Sequence, residues 1–261
     1  MKSPKSMRFD RIRDLRSSDG HPVPAYLLEP DRPAGAIALV HGYGGAKEQM
    51  LGLAARLAEA GFAACCPDLR GHGEHPAPLG PGLLHDLEAA VGYCRRYGRV
   101  AALGHSLGGR LALMSSADLL IAVSPAISKR PSEEGRAMLI AFGSTAVRTA
   151  DPAAILPLLQ ALGPVPDSPR PKLLLVAEGD VPSLQEGVAE AAAALTAAER
   201  QVITRQQHHA AALPATIGAY LPHWFNHADL KTNPEVVERI QAWLACRWGP
   251  RDTASVTRGS T

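Results

Sequence analysis

Short, wholly apolar runs alternating with amphipathic stretches predict an α/β protein, a mostly parallel sheet with helices on both faces. Three observations carry the prediction. Residues 36–40, 62–66, 100–103 and 119–123 are continuous apolar runs of strand length, as strands buried on both faces require. The stretches between them, such as 47–60 and 81–97, repeat apolar residues every three or four positions, the period of a helix with one buried stripe. The chain is 261 residues long, 46% hydrophobic and 20% charged, enough for one sizeable core.

The elements follow in order. Residues 9–13 and 23–28 flank Ser17-Ser18-Asp19-Gly20, a turn signal, and read as a hairpin at a sheet edge. The strand 36–40 precedes a helix over 47–60 that puts Met50, Leu51, Leu53, Leu57 and Ala58 on one side and stops at Gly61. After the strand 62–66, a helix over 81–97 puts Leu83, Leu84, Leu87, Ala90, Val91 and Cys94 on one face. The strands 100–103 and 119–123 bracket a helix that begins at Leu107. Further on, 172–176 reads as a strand, 183–195 as a helix, 201–205 as a last strand and 234–246 as a last helix with proline at its start.

Residues 127–170 break the alternation. They hold an apolar run at 137–142 and a second helix-like run at 153–162, and read either as a small lid over the strand ends or as ordinary crossover helices. The expected organisation is one domain over 1–261, with 127–170 the possible lid insertion and 250–261 a polar, disordered tail.

Composition excludes several classes. A net charge of +2 with scattered bases makes no case for nucleic acid. No run is long enough to span a membrane, and the basic start lacks the apolar core of a secretory signal. Of four cysteines, Cys65 and Cys66 are adjacent in an apolar strand, which suits buried thiols rather than a disulfide framework. No Cys/His spacing suggests zinc. These features lead us to expect a cytoplasmic protein without metal or cofactor.

Chemistry enters at Gly104-His105-Ser106-Leu107-Gly108-Gly109, directly after the strand 100–103. Glycines two before and two after the serine permit a sharp strand-to-helix turn that lifts its hydroxyl out of the sheet. The following helix would aim free N–H groups and its positive dipole end at that hydroxyl. Taken alone, the run could be a glycine-rich turn with an incidental serine. A second glycine-rich run, His41-Gly42-Tyr43-Gly44-Gly45, follows the strand 36–40, so Tyr43 N–H and Leu107 N–H form a natural pair of oxyanion donors.

Together with Asp68-Leu69-Arg70-Gly71-His72-Gly73, these runs resemble the successive landmarks of the α/β-hydrolase family, in that family's order, over residues 17–246. The resemblance implies an α/β-hydrolase fold and a Ser–His–acid triad in chain order serine, acid, histidine. The acid is expected just past the strand after the lid, where the run 171–180 ends in Asp180; Glu178 is the alternative, and Ala177 stands where the family usually has glycine. Of ten histidines, His208, His209, His223 and His227 follow Asp180. His227 lies seven positions before Pro234 and His209 twenty-five, and the family's base usually sits shortly before its last helix, which favours His227 with His209 or His208 as alternatives. His41, His72 and His105 precede the acid, the wrong order for the base; His41 and His72 read as structural, as do Asp68 and Arg70. The resemblance thus implies a serine hydrolase in which Ser106, His227 and Asp180 cleave small to medium hydrophobic carboxylic esters through an acyl-serine. The same triad would serve a thioesterase, a peptidase or an acyltransferase, and a non-catalytic binding protein could keep the fold.

Overall fold

The structure is a computed structural model that describes residues 6–128, 131–204, 227 and 230–248. The expectations for His208, His209, His223 and the tail 250–261 fall outside the described residues, as does the insertion over 210–222 that His227 as base implies between the last strand and the base.

The chain opens with β1 (Met7–Ile12) and β2 (Ala25–Pro30), which pair antiparallel, with a bridge between Arg16 and Pro22 nearer the turn. This is the expected hairpin. Six strands follow: β3 (Ala36–Val40), β4 (Ala63–Pro67), β5 (Val100–His105), β6 (Leu119–Val123), β7 (Lys172–Ala177) and β8 (Ala198–Ile203). They form one sheet in the order β1-β2-β4-β3-β5-β6-β7-β8, antiparallel at β1, β2 and β4 and parallel from β4 through β8.

The strands' two-residue period sorts the core into two layers. Ala36, Ala38, Val40, Ala102, Leu120, Ala122 and Leu174 face one side, where α2 (Leu83–Cys94), α3 (Leu107–Met114) and α6 (Pro182–Ala194) pack. Ile37, Leu39, Ala101, Leu103, Ile121, Val123 and Leu173 face the other, against α1 (Leu51–Glu59) and α7 (Pro234–Trp248). The α2–α3 side of the strands is rich in alanine, so those helices lie close to the sheet.

Several boundaries differ from the sequence reading, each for a local reason. The helix expected over 47–60 begins as a 3-10 turn, Lys47–Met50, before α1. That expected over 81–97 starts at Leu83, because Gly82 is left-handed (φ 94°), and ends in the 3-10 turn Arg95–Tyr97. β8 starts at Ala198 rather than 201; as an edge strand it is only partly buried, and Glu199 and Arg200 hide its period. The irregular stretch between β6 and β7 holds α4 (Glu133–Thr145) and α5 (Ile155–Ala161). Among the described residues no helix is long and apolar enough to cross a membrane.

Candidate active site

The sheet's parallel strands end in loops along one edge, the edge at which open α/β sheets bind ligands. Ser106 follows β5 there with φ 54° and ψ −116°, a left-side backbone conformation that a residue with a side chain adopts only when its surroundings enforce it. Three main-chain bonds do so: Ser106 N–H donates to Val123 O (2.9 Å), and Ser106 O accepts from Ala126 N–H (2.9 Å) and Arg110 N–H (3.1 Å). The flanking glycines are needed for space. A methyl group on Gly104 would lie 2.1 Å from Gly108 O, and one on Gly108 would lie 2.4 Å from His41 O. Substitution at either would push α3 off the sheet.

The loop after β3 lies against this turn, and buried hydrogen bonds fix it. His41 Nδ1–H donates to Gly42 O (2.8 Å), and its Nε2 accepts from Leu69 N–H (3.2 Å). That pattern demands the neutral ring, and burial holds its pKa down at about 4. Asp68 accepts from Lys47 Nζ (2.7 Å), Lys47 N–H (2.8 Å) and Glu74 N–H (2.8 Å). Burial acts to lower the Lys47 pKa, but its bonds to Asp68 outweigh that and raise it. Arg70 reaches Asp86 with Nε and Nη2 (3.0 and 2.7 Å) and Asp19 with Nη1 (2.8 Å), and so ties the loop after β4 to α2 and to the β1–β2 turn. The structural reading of His41, Asp68 and Arg70 matches this geometry; the buried Lys47 was not anticipated. His72 also fits, since its Nδ1–H donates to Arg70 O (3.0 Å). Tyr43 N–H, on the loop after β3, and Leu107 N–H, at the start of α3, have no acceptor among the described residues.

Asp180 follows β7 and is fully buried. Its Oδ1 accepts from Val181 N–H (2.7 Å) and from His227 Nδ1–H (3.1 Å). Glu178 is exposed, so the carboxylate that meets His227 is that of Asp180. With Nδ1 as the donor, Nε2 of a neutral His227 carries the lone pair. A second contact was missing from the sequence reading. His105 Nε2–H donates to His227 O (2.7 Å), and the two rings pack with centroids 4.7 Å apart. Burial drives the His105 pKa far below the ordinary histidine value, so it stays the neutral donor this bond needs. No local pattern signals a contact that spans 122 residues.

Ser106 and His227 both line a cavity of about 560 Å³. Its far wall comes from α4, α5 and α6, with Met138, Leu139, Leu156, Leu159 and Leu184 giving it an apolar surface. Arg148, after α4, donates to Gly73 O (2.7 Å), His72 O (3.3 Å) and His75 O, and so joins the α4–α5 segment to the loop after β4.

This fold and arrangement are those of the alpha/beta hydrolases: that family matches residues 37–258, and the chain belongs to it. Among characterised relatives, a thermostable monoacylglycerol lipase of Bacillus sp. (strain H-257) is 38% identical over 86 residues, which is 31% of this chain and 34% of that protein. The alignment therefore spans about a third of the lipase. Among solved structures, an esterase of Pyrobaculum calidifontis superposes with a TM-score of 0.64 at 20% identity, covering 92% of this chain and 85% of that one. An esterase of Pyrococcus furiosus gives 0.65 at 16% identity, covering 93% and 94%. A thermostable carboxylesterase cloned from a metagenomic library gives 0.60 at 19% identity, covering 96% and 92%. At such identities these structures speak for the fold. Membership of the family supports an ester-hydrolysing enzyme.

Proposed function

We propose that the protein is a serine carboxylic-ester hydrolase for small to medium hydrophobic substrates. One observation carries the reading: His227 bonds through Nδ1 to the buried Asp180 while lining the same cavity as Ser106. Asp180 would hold the tautomer in which Nε2 is the nitrogen that takes the Ser106 proton. The hydroxyl oxygen attacks the ester carbonyl. Negative charge develops on the carbonyl oxygen and is met by Tyr43 N–H and Leu107 N–H, each worth about 3 kcal/mol in comparable sites. His227 then protonates the departing alcohol, and water enters by the same route to release the acid from Ser106. No cofactor takes part in this course. The apolar wall supports a hydrophobic acyl or alcohol group, with α4 and α5 acting as a lid. The ester-cleaving relatives favour ester over amide or thioester substrates.

A fluorophosphonate probe and p-nitrophenyl esters test the reading together. Wild type is expected to label at Ser106 and to turn over the esters. Ser106→Ala should lose labelling and about 10⁴-fold or more in kcat. His227→Ala should lose a comparable factor while His209→Ala does not. Labelling that persists in Ser106→Ala, or full activity in His227→Ala, would overturn the assignment.

A further inference from the structure

One side chain in the cavity wall is not needed for cleaving a wholly apolar ester. Arg110 stands one turn along α3 from Ser106, about 6 Å along the helix axis, and lines the same cavity. The wall around it is apolar, including Ile127, Leu156, Leu159 and Val165. Its Nη1 donates to Ala126 O (3.3 Å) and its Nη2 to Gly163 O. A guanidinium has five N–H bonds, so these use two of them. Nε is buried without an acceptor among the described residues. Burial lowers the Arg110 pKa, and among the described residues no carboxylate offsets it. The two carbonyls therefore orient the fork but leave its charge uncompensated in an apolar wall, an arrangement that a bound anion would relieve. The other charged side chains on the wall, Arg136 and Glu190, are exposed.

We propose that the cavity takes esters carrying a carboxylate a few bonds from the scissile carbonyl, with Arg110 as the counter-ion. The proposal rests on the ester-hydrolase reading and narrows its substrate class. A carboxylate fits better than a phosphate for two reasons. Its planar pair of oxygens matches the guanidinium fork. Its single charge is cancelled by one arginine, whereas a phosphate dianion would leave a net charge among apolar side chains. The hydrophobic wall then holds the carbon chain that joins the ester to the carboxylate.

Isosteric pairs test this, with ester cleavage followed by chromatography. On the acyl side, monoethyl glutarate is compared with its ω-amide; on the alcohol side, the acetate ester of 4-hydroxybutyrate is compared with its amide. Wild type should favour the carboxylate about tenfold or more in kcat/KM in one of the two pairs, and that pair tells which arm of the ester faces Arg110. The ratio should fall to about one in Arg110→Gln and stay intermediate in Arg110→Lys. A ratio of one or less in both wild-type pairs overturns the proposal, as does a preference that survives in Arg110→Gln. If Arg110→Gln loses its cooperative melt, the wild-type and Arg110→Lys ratios decide. Calorimetric binding of monoethyl glutarate to Ser106→Ala, with and without Arg110→Gln, separates the two readings. Arg110-dependent binding without turnover in wild type removes the hydrolase and keeps the anion site. Turnover with no carboxylate preference and no such binding removes the anion site alone.

Discussion

The two sides of the candidate site, the loops that pack against the Ser106 turn and the helices that line the cavity, are built by opposite means. The sheet-side wall, from His41 to Lys47 and Asp68 to His75, is wired by buried charge: Lys47, Asp68, Arg70 and Asp86 are almost wholly shielded and bonded to one another or to main chain. The opposite wall, α4 and α5, is held by half-exposed apolar side chains such as Leu139, Leu156 and Leu159; in α5 only Ile155 is fully buried. The difference teaches what each wall is for. The sheet-side wall fixes the loop that carries Tyr43 N–H, one of the two proposed oxyanion donors, and buried ion pairs tolerate little displacement. On the proposed reading the α4–α5 wall meets the variable part of a substrate, where loose apolar packing can adapt.

The largest expected effect tests the rigid wall. Asp68→Ala leaves the buried Lys47 ammonium to Glu48 and Glu74 alone and takes the acceptor from the Lys47 and Glu74 N–H groups, and should cost about 3 kcal/mol in urea unfolding. A cost below about 1 kcal/mol would mean that the wall does not depend on this pair. Acidification is a second test of the same wall. Burial holds His41 at about 4 and His72 at about 3, and keeps His105 low as well. An unfolded histidine takes its proton near 6.5, so between 6.5 and about 4 the unfolded chain binds more protons than the folded one. Stability therefore rises with pH in that window and falls on acidification, by at most about 1.4 kcal/mol per pH unit from each ring. Unchanged stability between pH 7 and pH 5 would contradict the burial of these rings. The smallest effect belongs to the other wall. Leu159→Ala should cost about 1 kcal/mol or less in stability, yet raise KM several-fold for a hexanoate ester relative to an acetate. A large loss of stability with no change in that ratio would reverse the comparison.

This contrast also explains what could be read from the chain. Strands buried on both faces announce themselves by continuous apolar runs, so β3 to β7 were legible; β8 was misplaced because Glu199 and Arg200 belong to an exposed edge. The elbow at Ser106 was legible because its glycines are demanded by contacts within a few residues and with the adjacent loop. Asp180 and His227 were singled out through family order, since a bond across 47 residues leaves no local trace. Lys47 looked like an ordinary helix-start lysine, and its burial depends on Asp68, 21 residues away. His105 was set aside as the wrong order for a base, and its bond to the His227 carbonyl is visible only once β5 and that residue are neighbours.

That last bond has a consequence for how the chain can vary. Ser106 and His105 share a peptide unit, so the residue proposed as nucleophile and the anchor of the residue proposed as base are parts of one rigid strand end. Their separation is referenced to β5 rather than to the length of chain leading up to His227. A change of chain length elsewhere among descendants of this sequence must therefore keep two meetings, one carbonyl with the His105 ring and one imidazole with Asp180.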